Sequence, residues 1–127
     1  FQFNQVVKDC KFLLPQATSK DMKHSYWTFT VRNTSNNISW KNFRKKFKEF
    51  GGTGIFASWK LLYQEDVFTN GNWKKKCPKL YKNYNHHICK NAEKIQKQLL
   101  QFPLNFKDMK SAQKSIKALQ KTIKYFD

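Results

Sequence analysis

The spacing of apolar residues changes along this chain, and that change limits the folds that the chain can adopt. Over residues 24–32, aromatic and β-branched side chains alternate with polar ones, which predicts a strand with Phe29 and Val31 on the same face. After Ser39, apolar side chains recur every three or four residues over 40–50, which predicts an amphipathic helix. This mixture of strands and helices, without strict alternation, is typical of an α+β fold in which helices pack a short sheet.

Two of the predicted helices have clear ends. The helix over 40–50 begins after Ser39, a favourable N-cap, and ends at Gly51-Gly52, where glycine tolerates the left-handed conformation of a C-terminal cap. A C-terminal helix is predicted to begin near Asp108. Its apolar stripe comprises Met109, Ala112, Ile116, Leu119, Ile123 and Phe126.

Four further segments have a predicted conformation. The sequence predicts an amphipathic helix within residues 1–14 and a short strand or extended segment over 55–59. It also predicts a helix that starts at residue 92, runs through 99–102 and stops at Pro103. Residues 64–88 are polar, aromatic and rich in lysine, and we expect them to be irregular.

The chain is strongly basic, with 25 Lys+Arg against 8 Asp+Glu in 127 residues and a net charge of +17. That excess is typical of a protein with a polyanionic partner, but a lysine-biased surface gives the same number. Arg32 and Arg44 are the two arginines, and sequence-specific readers of nucleic acid rely on arginine. The segment Trp73–Lys76, with Tyr81 and Tyr84, fits either a base-stacking platform or a solvated basic loop.

The cysteines and histidines do not form a recognisable metal site. The three cysteines are an odd number, which favours a reducing compartment, and we expect the protein to be cytoplasmic. Cys77, His86, His87 and Cys89 lie close together in sequence, but their spacing differs from that of known zinc sites. We therefore expect surface histidines in a loop, one buried cysteine and no metal. The apolar runs are also too short to span a membrane.

The sequence does not contain a recognisable self-contained catalytic apparatus. His24 and Ser25 are neighbours on the predicted strand, so their side chains would point to opposite faces. The glycines over 51–54 follow a helix and lack the Gly-Lys-Ser/Thr ending of a phosphate-binding loop. Glu65-Asp66 is the one adjacent pair of carboxylates, which is too little for an acid/base site.

Five segments nevertheless occur in an order and spacing that resemble one known family. They are HSYWTF at 24–29, ISWKNFRKKF at 38–47, GGTGIFASWKL at 51–61, CKNAEKIQKQLLQF at 89–102 and KTIKYF at 121–126. Together they resemble the C-terminal small domain of the DegT/DnrJ/StrS family of pyridoxal-phosphate-dependent sugar-nucleotide aminotransferases. The resemblance covers nearly the whole chain and is weakest over 64–88.

The resemblance implies a fold and an activity for a longer protein. Residues 1–127 would be the α+β small domain of an aspartate-aminotransferase-like fold. A large domain upstream of Phe1 would bind pyridoxal 5'-phosphate and supply the catalytic lysine, so we expect the chain alone to be inactive and to have an apolar face for that domain. The complete protein would be a homodimer that aminates a nucleotide-linked keto-sugar for cell-surface polysaccharide biosynthesis, with neither a membrane nor nucleic acid as partner.

The resemblance also assigns roles to particular residues. His24, Ser25 and Tyr26 would bind the nucleotide-sugar substrate, whereas ordinary packing at a strand end is the alternative interpretation. Residues 54–63 would form a second lip of the substrate cleft. If the family resemblance does not hold, the alternative is a stand-alone basic α+β module that binds nucleic acid.

Three positions depart from the family pattern. Lys90, Lys97 and Asp66 stand where relatives that resemble this sequence carry proline. Because proline fixes the backbone angle φ, we expect the loops at these positions to be less rigid in this chain.

Overall fold

The structure is a computed structural model that describes residues 2–79 and 89–127. The chain divides into two compact units, which we call unit 1 (Phe1–Ala57 and Gln98–Asp127) and unit 2 (Ser58–Lys97). The helices are α1 Gln2–Val7, α2 Trp40–Glu49, α3 Asp66–Thr69, α4 Gly71–Lys76, α5 Lys90–Gln96 and α6 Met109–Phe126.

Unit 1 contains a four-stranded antiparallel sheet. Its strands are β1 Leu13–Pro15, β2 Thr28–Asn33, β3 Phe56–Ala57 and β4 Leu99–Pro103, in the spatial order β1-β2-β4-β3. Along β2, Phe29 and Val31 are buried while their neighbours are half-buried, as the alternating pattern predicts. Leu100 and Phe102 repeat this alternation on β4, which pairs with both β2 and β3.

The core of unit 1 is built largely from phenylalanine. The ring of Phe102 on β4 lies 5.4 Å from that of Phe47 on α2, edge to face. Phe3 on α1 lies 5.4 Å from Phe29 on β2. Edge-on and tilted contacts of this kind stabilise a core beyond the apolar area that they bury. The α+β class is therefore confirmed, with α1 and α2 packing the small sheet.

The predicted start and end of α2 and the predicted start of α6 are confirmed. The Ser39 hydroxyl accepts a hydrogen bond from the Asn42 amide at the start of α2, and the Asp108 carboxylate accepts one from the Ser111 amide at the start of α6. After α2, the Gly51 amide donates to the Lys48 carbonyl and the Gly52 amide to the Phe47 carbonyl, the pairings of a Schellman motif. Gly51 has φ of 91°, so glycine is the favoured residue there.

Two predicted helices are shorter than expected. The N-terminal helix ends at Val7, and Leu13 instead pairs with Asn33 in the sheet. The helix predicted through residues 99–102 ends at Gln96, and β4 follows it as a central strand. In both places the apolar side chains are buried by strand pairing, which depends on residues far along the chain and overrides a local helical spacing.

Unit 2 is assembled from short elements. Residues 66–76, which we expected to be irregular, form α3 and α4, preceded by a 3₁₀ turn over Leu62–Gln64. No residue is buried among those of unit 2 whose burial the structure describes. Side-chain hydrogen bonds within the unit include one from the Ser58 hydroxyl to the Gln96 carbonyl and one from the Gln96 amide to the Trp59 carbonyl.

Across the described parts of the chain, no helix combines the length and the apolar character that crossing a bilayer requires.

Candidate functional site

The residues immediately before β2 form a turn rather than the start of the predicted strand. Tyr26 has φ of 52°, in the left-handed region that bulky side chains rarely adopt. The strand therefore begins at Thr28, four residues later than the alternating pattern predicts. Backbone strain of this kind costs about 1–3 kcal/mol and persists where surrounding contacts hold it in place, which is often at functional sites.

The His24 side chain supplies the first of these contacts. Its Nδ1 atom accepts a hydrogen bond of 2.8 Å from the Tyr26 backbone amide. The ring proton must therefore lie on Nε2, which is 2.9 Å from the Gln16 side-chain oxygen and donates to it. These two contacts fit the Nε2–H tautomer, with a hydrogen-bond partner at each ring nitrogen.

The Tyr26 side chain is held at both its ring and its hydroxyl. Its ring stacks on the His24 ring, with centroids 4.2 Å apart and planes 23° apart. Its hydroxyl oxygen accepts a hydrogen bond of 2.9 Å from the Asn4 side-chain amide. Because that bond uses a lone pair of the oxygen, the hydroxyl proton is available for donation to a further acceptor.

The turn therefore brings together two of the three residues that the sequence singled out. His24 and Tyr26 are half-buried and in direct contact, while Ser25 is exposed between them. The Ser25 and Tyr26 hydroxyls are donors, which suits an acceptor-rich ligand such as a sugar or a phosphate. Neither hydroxyl carries the adjacent base that nucleophilic catalysis requires within the geometry described, so the arrangement suits binding.

Two residues that position this turn were not found from the sequence. Asn4 lies on α1, 22 residues before Tyr26, and Gln16 lies eight residues before His24. Neither belongs to a motif, and their contribution depends on how α1 and the connector after β1 pack. No signal in a single sequence identifies such contacts.

The second predicted lip, residues 54–63, straddles the boundary between the two units. At its unit 2 end the Tyr63 hydroxyl donates to Glu93 (2.9 Å) and accepts from the Cys89 amide (3.3 Å). Desolvation, followed by the hydrogen bond to Glu93, raises the pKa of Tyr63 above its usual value. Tyr63 is therefore a neutral hydrogen-bonding residue that ties the 3₁₀ turn to the start of α5.

The three positions at which the family resemblance leads us to expect proline lie at helix ends in unit 2. Asp66 is the first residue of α3 and Lys90 is the first residue of α5, both positions that favour proline. Lys97 is the C-cap of α5. Asp66 also pairs with Lys60 at 2.6 Å, and this hydrogen bond raises the pKa of Lys60. Proline at position 66 or 90 would restrain the start of a helix. At position 97 it would remove the hydrogen bond from the Lys97 amide to the Ile95 carbonyl.

The candidate metal ligands are only partly described. Cys77 and Cys89 are both exposed free thiols, so the expectation of one buried cysteine is wrong. His86 and His87 lie outside the described residues. Within residues 2–79 and 89–127, no three histidine, cysteine or acidic side chains are arranged to hold a metal ion. In the candidate base-stacking segment, Trp73–Lys76 form part of α4. Tyr81 and Tyr84, the other two residues of that segment, lie outside the described residues.

Unit 1 also has an apolar groove of about 570 Å³. It is formed by the start of α1, the connection from β4 to α6, and the first turns of α6. Its apolar lining consists of Phe3, Leu104, Phe106, Met109, Ala112 and Ile116. None of the residues that line this groove belongs to the 24–26 turn.

No protein-family model matches the chain, and no curated protein matches it significantly.

Proposed function

We propose that this chain is the small domain of a DegT/DnrJ/StrS-type aminotransferase that transfers an amino group to a nucleotide-linked keto-sugar. The α+β fold, with a short antiparallel sheet packed by helices, is compatible with the small domain of an aspartate-aminotransferase-like protein. The observation that carries the proposal is the turn at residues 24–26. There, two residues that the family resemblance assigns to the substrate are held together in a strained backbone conformation.

The family resemblance places the cofactor lysine and the phosphate cradle in a large domain, outside residues 1–127. The proposal therefore assigns the cofactor to a large domain in the same protein. When bound there, the cofactor would stabilise the carbanion of the amino-transfer reaction.

The role of this chain is then to bind and orient the substrate. The Tyr26 hydroxyl would donate its proton to an oxygen of the sugar or the diphosphate, while Asn4 fixes the position of the hydroxyl oxygen. The exposed Ser25 hydroxyl would add a second donor. The His24 ring would support Tyr26 through the stack and the bond to its amide.

The test uses the complete protein and a Tyr26→Phe variant, which removes the hydroxyl but keeps the ring and its stack on His24. Uridine diphosphate and thymidine diphosphate serve as probes in isothermal titration calorimetry. We expect one of them to bind, and Tyr26→Phe to weaken that binding about 3- to 10-fold, the usual effect of losing one hydrogen bond.

The matched control is Tyr125→Phe, which removes the hydroxyl of a half-exposed tyrosine on α6. This control should bind the nucleotide like the unmodified protein. If neither nucleotide binds, or if Tyr26→Phe and Tyr125→Phe behave alike, the assignment of the 24–26 turn to the substrate is wrong.

A further inference from the structure

Helix α6 carries a row of lysines that the proposed aminotransferase function does not use. The helix has 18 residues, Met109–Phe126, and none of them is acidic. At about 100° per residue, five lysines fall within an arc of about 80° on one side of the helix. This α6 lysine row consists of Lys110, Lys114, Lys117, Lys121 and Lys124, all exposed.

The row lies on the side of α6 that faces away from the core. The buried residues of the helix, Ser115, Ala118, Leu119 and Thr122, occupy the opposite side. Five ammonium groups are thereby displayed along about 21 Å of helix at 1.5 Å per residue. The first half of the row also borders a shallow depression of about 400 Å³, lined by Lys110, Ser111, Gln113, Lys114 and Lys117.

The protein itself does little to neutralise this row. Lysines three and four residues apart on one helix face repel each other and weaken the helix. The ion pairs found among residues 2–79 and 89–127 are Lys46–Glu49 and Lys60–Asp66, and neither involves the row. The nearest acidic residues in sequence are Asp108, which caps α6 through the Ser111 amide, and Asp127 after its last turn.

The side chains that flank the row discriminate between possible anionic partners. A helix that binds a lipid surface places bulky apolar residues beside its cations, and these enter the membrane. Gln113 and Gln120, both exposed, flank the α6 row on one side. On the other side lies Tyr125, and the Lys46 ammonium group lies 4.5 Å from the centre of its ring. Lysine is a point charge that binds phosphate without the bidentate geometry used to read bases. The row therefore suits a linear chain of phosphates.

We propose that the α6 lysine row binds the phosphodiester backbone of nucleic acid without regard to sequence. This inference does not depend on the aminotransferase function, because it concerns different residues on a different element. It also differs from the nucleic-acid interpretation of the sequence, which placed the contact at Trp73–Lys76.

The test is fluorescence anisotropy with labelled oligo(dT) and with a duplex of mixed sequence, between about 50 and about 200 mM salt. We expect binding that is independent of sequence, with Kd in the range of about 1–100 µM at physiological salt. The variant is Lys114→Glu, Lys117→Glu and Lys121→Glu together. It should weaken binding to oligo(dT) at least tenfold and lower the slope of log K against log salt by about 2.

Two control variants carry the same change of charge elsewhere. One replaces the exposed Lys8, Lys11 and Lys20 by glutamate and should retain most of the binding. The other replaces Lys74, Lys75 and Lys76 by glutamate, in the segment that the sequence offers as one possible base-stacking platform. Circular dichroism checks that all three variants keep their helices.

Each remaining outcome overturns the inference. Equal losses in the α6 variant and the Lys8 control would mean that net charge alone attracts the oligonucleotide. A loss confined to the Lys74–Lys76 variant would move the contact to α4. Absence of binding at low salt, or preferential binding to vesicles containing phosphatidylserine, would exclude nucleic acid as the partner of this row.

Discussion

Unit 1 and unit 2 are stabilised in different ways. Unit 1 buries 14 apolar side chains around its sheet, among them Phe43, Phe47 and Phe102, each with 1% exposure or less. In unit 2, none of the residues whose burial is described is buried. Its short helices are joined by polar contacts, such as the one from Tyr63 to Glu93. Apolar burial is the larger contribution to folding, so unit 1 should hold most of the stability of the chain.

The comparison also explains which elements were predictable. A helix with a buried face repeats its apolar residues, and this repeat is visible in the sequence of α2 and α6. The short helix α3 has no buried residue, and the sequence accordingly predicts irregular structure there. The repeat of apolar residues in a sequence therefore indicates that one face of a helix is buried, and a helix without a buried face leaves no such repeat.

The largest expected effect is that of Phe47→Ala. Phe47 is completely buried against Phe102, and replacing it leaves a cavity in the core of unit 1. We expect the free energy of unfolding to fall by about 3–5 kcal/mol, measured by urea denaturation. Leu62→Ala in unit 2, where the side chain is 73% exposed, should cost about 0.5 kcal/mol or less. Equal losses of unfolding free energy in Phe47→Ala and Leu62→Ala would show that the stability of the chain is not concentrated in unit 1.

Gly52→Ala should have the next largest effect. A β-carbon at this position would overlap the ring of Phe47, which cannot move because it is fully buried. Overpacking of this kind costs about 1–3 kcal/mol. Thr53→Ala, at an exposed neighbouring position, is the control. If both variants unfold at the urea concentration of the unmodified protein, the Phe47 ring has room that the structure does not show.

A smaller effect, in the opposite direction, is expected for Asp66→Pro in unit 2. Glu65 already has φ of −65° and ψ of 148°, which a following proline favours. The substitution should stabilise the start of α3 by about 0.4–1 kcal/mol. Hydrogen exchange at the Asn70 amide, which donates to the Asp66 carbonyl, should slow by about 2- to 5-fold. Asp66→Ala removes the contact with Lys60 without adding the proline ring. In this control, hydrogen exchange at the Asn70 amide should be unchanged or faster.

The smallest effect concerns the pH dependence of unit 1. The hydrogen bond from the Ser111 amide holds the pKa of Asp108 below its ordinary value of 3.8. The folded state therefore gains stability from Asp108 above pH 3.8 and loses it as the pH falls through the lower, folded pKa. Asparagine caps a helix equally well without titrating. Asp108→Asn should therefore lose less stability than the unmodified protein on acidification. If the free energies of unfolding of the two proteins fall in parallel as the pH is lowered, Asp108 does not stabilise α6 through its charge.

The sequence predicted local features well and long-range ones poorly. The boundaries of α2 follow from Ser39 and Gly51, which lie next to the helix that they cap. The apolar spacing predicts helix at β4, whereas the structure has a strand, because its pairing with β2 and β3 involves residues distant in sequence. At the candidate site, His24 and Tyr26 were identified by resemblance. The left-handed turn between them is held partly by Asn4, and that contact exists only after folding.

The most direct test of the proposed aminotransferase function is cofactor binding by the complete protein, purified from its natural source. We expect it to be longer than this 15.2 kDa chain and to contain pyridoxal phosphate linked to a lysine outside residues 1–127. Its visible absorbance should disappear on reduction with borohydride, and peptide mass spectrometry should locate the modified lysine. A native protein of 15.2 kDa that binds no pyridoxal phosphate would contradict the proposed function.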